Sequence, residues 1–358
     1  MPVAKVTPRE NLLRTLRRRG FDWAPVCSGG FCPSQIEAFK ARFGHTDIDG
    51  FFGNPNRGVG IKLVRGFADG RALYPNEALP DHIDFDAFGV GHSHQEGCWH
   101  MTRMHHPLRG DVSLDDIARY PLPSIAAEAQ GQIDKRTADV QAQGLAVCGS
   151  YAMTVWELAW YLRSMEDLME DMMSGDERAT LLYDRITDLA CECVRRYARA
   201  GTDMIELGDD IGMQNTIMMS VGLWREWIKP RLAKIIRAAR EIKPDILIYY
   251  HSCGYVMPFI EELIEVGVDI LQPVQPECMD FADVHAAFGD RISFWSIIGT
   301  QHVLPFGTPE EVRETVWRNL RICGEKGGIV IAPTHVVEPE VPWENLLAMK
   351  EATETFKL

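Results

Sequence analysis

The sequence lacks long hydrophobic runs, a cysteine framework and the short motifs that mark the commonest cofactor enzymes. No apolar stretch approaches the roughly 20 residues that a bilayer-spanning helix needs, so no membrane-embedded segment is expected. The opening Met1-Pro2-Val3-Ala4-Lys5 leads into no signal-peptide core, which predicts a cytoplasmic protein. The nine cysteines are odd in number and scattered, unlike a disulfide set, so most are expected as buried reduced thiols. Positive charge is scarce: 37 Lys and Arg face 51 Asp and Glu, a formal net charge of −14. Such a surface repels phosphate backbones and anionic lipid, which argues against nucleic acid and membranes as partners. There is no Gly-x-Gly-x-x-Gly after a strand, no Walker loop, no Gly-x-Ser-x-Gly elbow and no His-Glu-x-x-His. Dehydrogenase, NTPase, serine hydrolase and zincin readings therefore lack support.

Apolar residues are plentiful, at 46% of 358, and charged residues make up 25%, a composition that buries a large core. Residues 8–19 place Leu12, Leu13 and Leu16 at helical spacing. From about 140, short apolar runs alternate with amphipathic stretches. The runs are Leu145–Cys148, Met204–Leu207, Ile246–Tyr250, Val268–Leu271, Ile292–Trp295 and Ile329–Ala332. Continuous apolar runs suit strands of a parallel sheet covered on both faces. Thr308-Pro309-Glu310-Glu311 is a capping box, and Gly201 reads as a helix stop. With one strand near 24–27 and another within 58–90, the count reaches eight. The expected fold is an α/β (β/α)8 TIM barrel, with a doubly wound open sheet as the competitor. Residues 45–120 are rich in Gly, Pro, His and aromatics. They read as a loop-and-hairpin insertion beside the barrel mouth, within a single domain spanning 1–358.

Barrel chemistry collects where strands end, and polar residues come after five successive runs. Glu206, Asp209 and Asp210 follow the second; His251 and Cys253 the third; Gln272 and Gln275 the fourth; Ser296, Thr300 and Gln301 the fifth; Thr334 and His335 the last. In an extended segment residues i and i+2 share a side, so His251 and Cys253 bring an imidazole and a thiolate to one point, a pair suited to zinc. A third ligand is required, with His335 the first candidate and Glu206 the second. Glu206 and Asp209 are the candidate catalytic acid/base groups. Tyr250, Gln275 and Gln301 are the candidate substrate-binding groups. The histidines at 92, 94, 100, 105 and 106 lack the spacing of a closed zinc module and read as structural or substrate-facing.

Several of these segments resemble the uroporphyrinogen decarboxylase superfamily: His251 through Gln275, Gly299 through Thr308, Gly327 through His335, and Pro342-Trp343-Glu344-Asn345-Leu346. The resemblance implies a (β/α)8 barrel and either of two activities. True uroporphyrinogen decarboxylases are cofactor-free and hold substrate propionates with arginines in an early loop. The matching stretch here, Val26-Cys27-Ser28-Gly29-Gly30-Phe31-Cys32, has no arginine. The cobalamin-linked methyltransferases of the superfamily move methyl groups between a corrinoid protein and a thiol, a methoxylated aromatic or a methylamine. Their thiol-alkylating members bind zinc through His-x-Cys and a later Cys after Pro-Gly. His251 and Cys253 match the first two, but Pro333-Thr334-His335 stands at the third. The resemblance thus implies a zinc-dependent methyltransferase acting on a small methylated molecule. Its cobalamin would be carried by a partner corrinoid protein, and a homodimer is among the assemblies allowed. The alternative is a cofactor-free decarboxylase of another carboxylated substrate.

Overall fold

The computed structural model describes residues 6–75, 77–94 and 102–357. Strand β1 (Asn56–Gly60) rises inside the stretch read as an insertion. It is followed by β2 (Leu63–Val64), β3 (Asp84–Phe85), β4 (Gly91–His94), β5 (Thr102–His105) and β6 (Ser124–Ile125). The regular part of the chain then supplies β7 (Ala146–Ala152), β8 (Met204–Gly208), β9 (Leu247–His251), β10 (Ile270–Gln272), β11 (Ser293–Trp295) and β12 (Ile329–Val330). One seven-stranded sheet runs β1-β7-β8-β9-β10-β11-β12 with every pair parallel. The segment around Val26 bridges Ile331 in parallel as an eighth stave, with the Cys27 N–H donating to the Ile331 carbonyl at 2.8 Å. Side chains close the seam between this stave and β1: Asn54 Oδ1 accepts from the Ser28 N–H at 2.8 Å. The expected TIM-barrel architecture is therefore what forms, with helices packed outside the curled sheet.

Period-two alternation decides what each strand shows to either side. On β8, Ile205 and Leu207 pack outward against the helices, while Met204 and Glu206 line the interior. On β9, Ile248 and Tyr250 face outward, while Leu247 and Tyr249 face inward. The helix Pro8–Leu16, started by a Thr7–Glu10 capping box, closes the base of the barrel. Its Leu12 and Leu16 are fully buried against Ala146, Met204, Leu247 and Ile270. At about 1.5–3 kcal/mol per buried leucine, this plug stabilises the barrel floor by a few kcal/mol. Helix Glu177–Ala200 stops at Gly201, whose φ of 78° is the left-handed conformation that glycine adopts freely. Helix Pro309–Cys323 starts with the Thr308–Glu311 capping box read from the sequence.

Strands β3, β4 and β5 form a small antiparallel sheet, and Thr102 and Met104 of β5 help line the barrel mouth. The histidines here have local partners: His92 bonds Thr102 at 2.8 Å, His105 bonds Ser93 and Glu77 at 2.7 and 2.8 Å, and His106 bonds the Tyr161 carbonyl at 2.9 Å. His100 lies outside the described residues. No helix among the described residues is long and apolar enough to cross a membrane.

Candidate metal centre

β9 ends at His251, and its inward register carries the imidazole to the barrel mouth. Two glycines set the path of the chain beyond it. A side chain on Gly212 would stand 2.7 Å from the Cys253 carbonyl oxygen, and one on Gly254 (φ 83°) would stand 2.7 Å from the Gly212 carbonyl carbon. The 211–213 and 253–255 loops therefore lie back to back, tied by the Tyr255 N–H donating to the Met213 carbonyl at 2.8 Å. Across this contact Asp210 Oδ1 accepts from the Cys253 N–H at 2.7 Å.

The outcome is a three-membered donor set. His251 Nε2 stands 3.6 Å from Cys253 Sγ and 3.5 Å from Asp210 Oδ1, and the three ligand atoms all lie within 4.8 Å of one another. Zinc with bonds of about 2.3 Å to sulfur and about 2.0–2.1 Å to nitrogen and oxygen, at tetrahedral angles, separates S from N by about 3.6 Å and N from O by about 3.3 Å. The donor set therefore fits zinc in its chemistry and in the two separations from His251 Nε2. Gln272 Oε1 holds His251 Nδ1 in a short hydrogen bond. An amide oxygen can only accept, so Nδ1 carries the proton and Nε2 presents its lone pair to the other two donors. Burial, with Asp210 and Glu157 nearby, pushes the free Cys253 thiol up; metal coordination would release that proton.

The donors lie in a cleft of about 810 Å³ at the C-terminal ends of the strands. Its wall is partly aromatic and sulfur-bearing (Trp160, Tyr161, Phe306, Met104, Met153 and Met218), and it carries four carboxylates, Glu157, Asp210, Glu338 and Glu340. No lysine or arginine among the described residues lines it. Glu157 sits in the first turn of helix Trp156–Arg163, just after β7, and accepts from the Tyr161 hydroxyl at 3.0 Å. Burial, then Asp210 and Asp209, raises its carboxyl to about 8, so in the metal-free chain it is mostly protonated at neutral pH.

Of the residues singled out in the sequence, His251, Cys253, Gln275, Gln301 and His335 all line this cleft. His335 is outside the set of converging ligand atoms. Gln275 Oε1 accepts from the Gly254 N–H at 3.0 Å, and the Gln301 amide meets Gln214 at 3.2 Å. Three placements depart from expectation. Glu206 lies two residues before Gly208, which pairs with His251. That is one layer deeper in the barrel, about 6.6 Å along the strand, and Glu206 there accepts from Ser150 Oγ at 2.6 Å. Asp209 is fully buried behind the wall. Its Oδ1 accepts from the N–H groups of Val155 and Glu157, both at 2.9 Å, and so caps the helix after β7. Burial raises this carboxyl to about 7 despite those bonds. Tyr250 is also fully buried, beside Asp209, on the outward face of β9. Asp210 and Glu157 line the cleft, with Gln272 buried behind His251, where Glu206, Asp209 and Tyr250 were expected. Asp210 was within reach of the sequence, because Glu206, Gly208 and Asp210 share one parity.

A parallel barrel with a metal-capable donor set at its C-terminal mouth defines the class of protein. The chain belongs to the uroporphyrinogen decarboxylase (URO-D) family, which matches residues 102–356. It is similar to the uroporphyrinogen decarboxylase of Coxiella burnetii, at 21% identity over 256 residues, covering 69% of this chain and 68% of that protein. A shorter match, 24% identical over 177 residues and 49% of this chain, is to 48% of the Thermus thermophilus uroporphyrinogen decarboxylase. Among solved structures, a methyltransferase from Methanosarcina mazei superposes with a TM-score of 0.67 at 17% identity. That superposition covers 98% of this chain and 99% of the neighbour.

Proposed function

We propose that this chain is a zinc-dependent methyltransferase that moves a methyl group between a small methylated molecule and a corrinoid protein. The observation that carries the reading is the Asp210–His251–Cys253 set, with His251 held in the ligating tautomer by Gln272. The likeness in fold to a methyltransferase is in keeping with it. Bound there, zinc would supply Lewis acidity to the heteroatom that bears or receives the methyl group. Gln272 and the Gly212–Gly254 contact hold the donors in place. Glu157 lines the same cleft, and in its protonated form it would protonate an oxygen or nitrogen as its bond to the methyl carbon breaks, turning a poor leaving group into a neutral one. Trp160 and Tyr161 offer flat walls to a methoxylated aromatic, and their π-faces also suit a methylammonium. The corrinoid partner would approach from the open mouth.

The second reading, a cofactor-free decarboxylase, is favoured by the names of the relatives from Coxiella and Thermus. It requires cations to hold a carboxylated substrate, and the described lining of the cleft offers four carboxylates instead. The test is methyl transfer to Co(I) cobalamin by the zinc-loaded chain, offered methoxylated aromatics, methylamines and methyl thioethers. Turnover that falls at least about 100-fold in Cys253→Ala supports the proposal. No turnover with any donor, together with CO2 release from a carboxylated substrate, would overturn it.

A further inference from the structure

A second chamber lies inside the barrel, one layer below the cleft. It measures about 240 Å³, far more than the roughly 10–15 Å³ that one water needs. Barrel interiors are ordinarily filled by branched apolar side chains. Here the inward-facing position of β1 is Gly58, where an added Cβ would meet nothing within 4 Å. The bare strand is what opens the space.

The lining is polar at both signs. Glu206 reaches in from β8 with one oxygen held by Ser150 and no ion-pair partner among the described residues. Arg57, on β1 two strands away in the sheet order, also lines the chamber. Its Nη1 is engaged by the carbonyls of Asn54 and Asn56, and its Nε stands 3.9 Å from Asp49 Oδ2. No hydrogen bond from the described residues engages its Nη2. Trp295 is 94% buried, yet its indole N–H has no acceptor among the described residues, and the chamber is the space that it borders. The Tyr249 hydroxyl and Asn56 Nδ2 are likewise without hydrogen-bond partners among the described residues. The indole N–H can only donate, so it donates to whatever fills the chamber.

We propose that this chamber binds a small zwitterion of amino-acid type. The ammonium group would sit on Glu206. The carboxylate would accept from Arg57, Asn56 and the Trp295 N–H, with the Tyr249 ring as a wall. A molecule with only one of these charges engages only one end of the chamber and forgoes roughly half of the charge-assisted hydrogen bonds. The site stands apart from the Asp210–His251–Cys253 set and does not depend on the methyltransferase reading.

The test is isothermal titration of the full chain with glycine and L-alanine, with acetate and methylammonium as single-charge controls. Saturable binding of glycine or alanine at least about tenfold tighter than either control is expected. It should be abolished in both Glu206→Gln and Gly58→Leu, the latter filling the space at a position without a positive φ. Both variants should keep the circular dichroism and zinc content of the parent. No saturable binding of either amino acid would mean a chamber filled by water only, and binding unchanged in Gly58→Leu would mean binding elsewhere; either result would overturn the proposal. Loss of zinc binding in the parent chain with amino-acid binding intact would overturn the metal reading alone.

Discussion

Replacing Gln272 with Leu probes the metal centre without touching a ligand. Gln272 is buried, and its side-chain oxygen is the hydrogen-bond partner of His251 Nδ1. In the variant the imidazole loses the acceptor that fixes its tautomer and ring plane. The Nδ1–H tautomer, which leaves Nε2 free for the ion, is then no longer enforced. Outer-layer partners of this kind are generally worth 10–100-fold in metal affinity, which is about 1.4–2.7 kcal/mol. Leucine conserves most of the volume, so the barrel should tolerate it at a cost of about 1 kcal/mol for the lost hydrogen bond. Competition against a chromophoric chelator reads the affinity directly. The expected result is a 10–100-fold weaker zinc complex for Gln272→Leu, with Gln272→Glu at or above the parent because a carboxylate is the stronger acceptor. Parental affinity in Gln272→Leu would refute the claim that this bond organises the site.

Glu157→Gln should change how the metal-free chain responds to pH. The native carboxyl titrates near 8 and the unfolded one near about 4.3, so the native state holds a proton that the unfolded state releases in between. Stability therefore falls as pH rises through that window, by at most about 1.4 kcal/mol per pH unit. The variant should lose less melting temperature between pH 5 and pH 8, and superimposable profiles would contradict a protonated Glu157. Asp209→Ala should strip the acceptor from the Val155 and Glu157 N–H groups and cost about 1–3 kcal/mol in urea unfolding, with zinc content of the folded protein unchanged. Parental stability in that variant would speak against the capping role.

Legibility in the sequence depended on which periodicity was followed. The barrel was readable because its inner and outer strand faces are both apolar, and that pattern has few other homes. The position of His251 and Cys253 was readable from spacing two beyond a strand. The same alternation, carried along β8 and β9, separates Glu206, Gly208 and Asp210 from Asp209, and His251 from Tyr250. The buried faces of Asp209 and Tyr250 follow from that parity, not from their residue types. Glu157 is hidden because the apolar run that marks its strand stops at Cys148, whereas β7 continues to Ala152 and its end lies beside Glu157. Gln272 has the look of a loop amide; its task emerges only once β9 and β10 are set in register, with Gln272 opposite His251. The Gly212–Gly254 contact joins loops distant in the chain and leaves no local signal.

The metal content of the purified chain tests the central claim most directly. Elemental analysis after dialysis should find about one zinc per chain, lost in His251→Ala, Cys253→Ala and Asp210→Ala and retained in Glu206→Ala. A folded, metal-free parent would contradict the account. Full occupancy in Asp210→Ala together with loss in His335→Ala would instead give the third ligand position to His335.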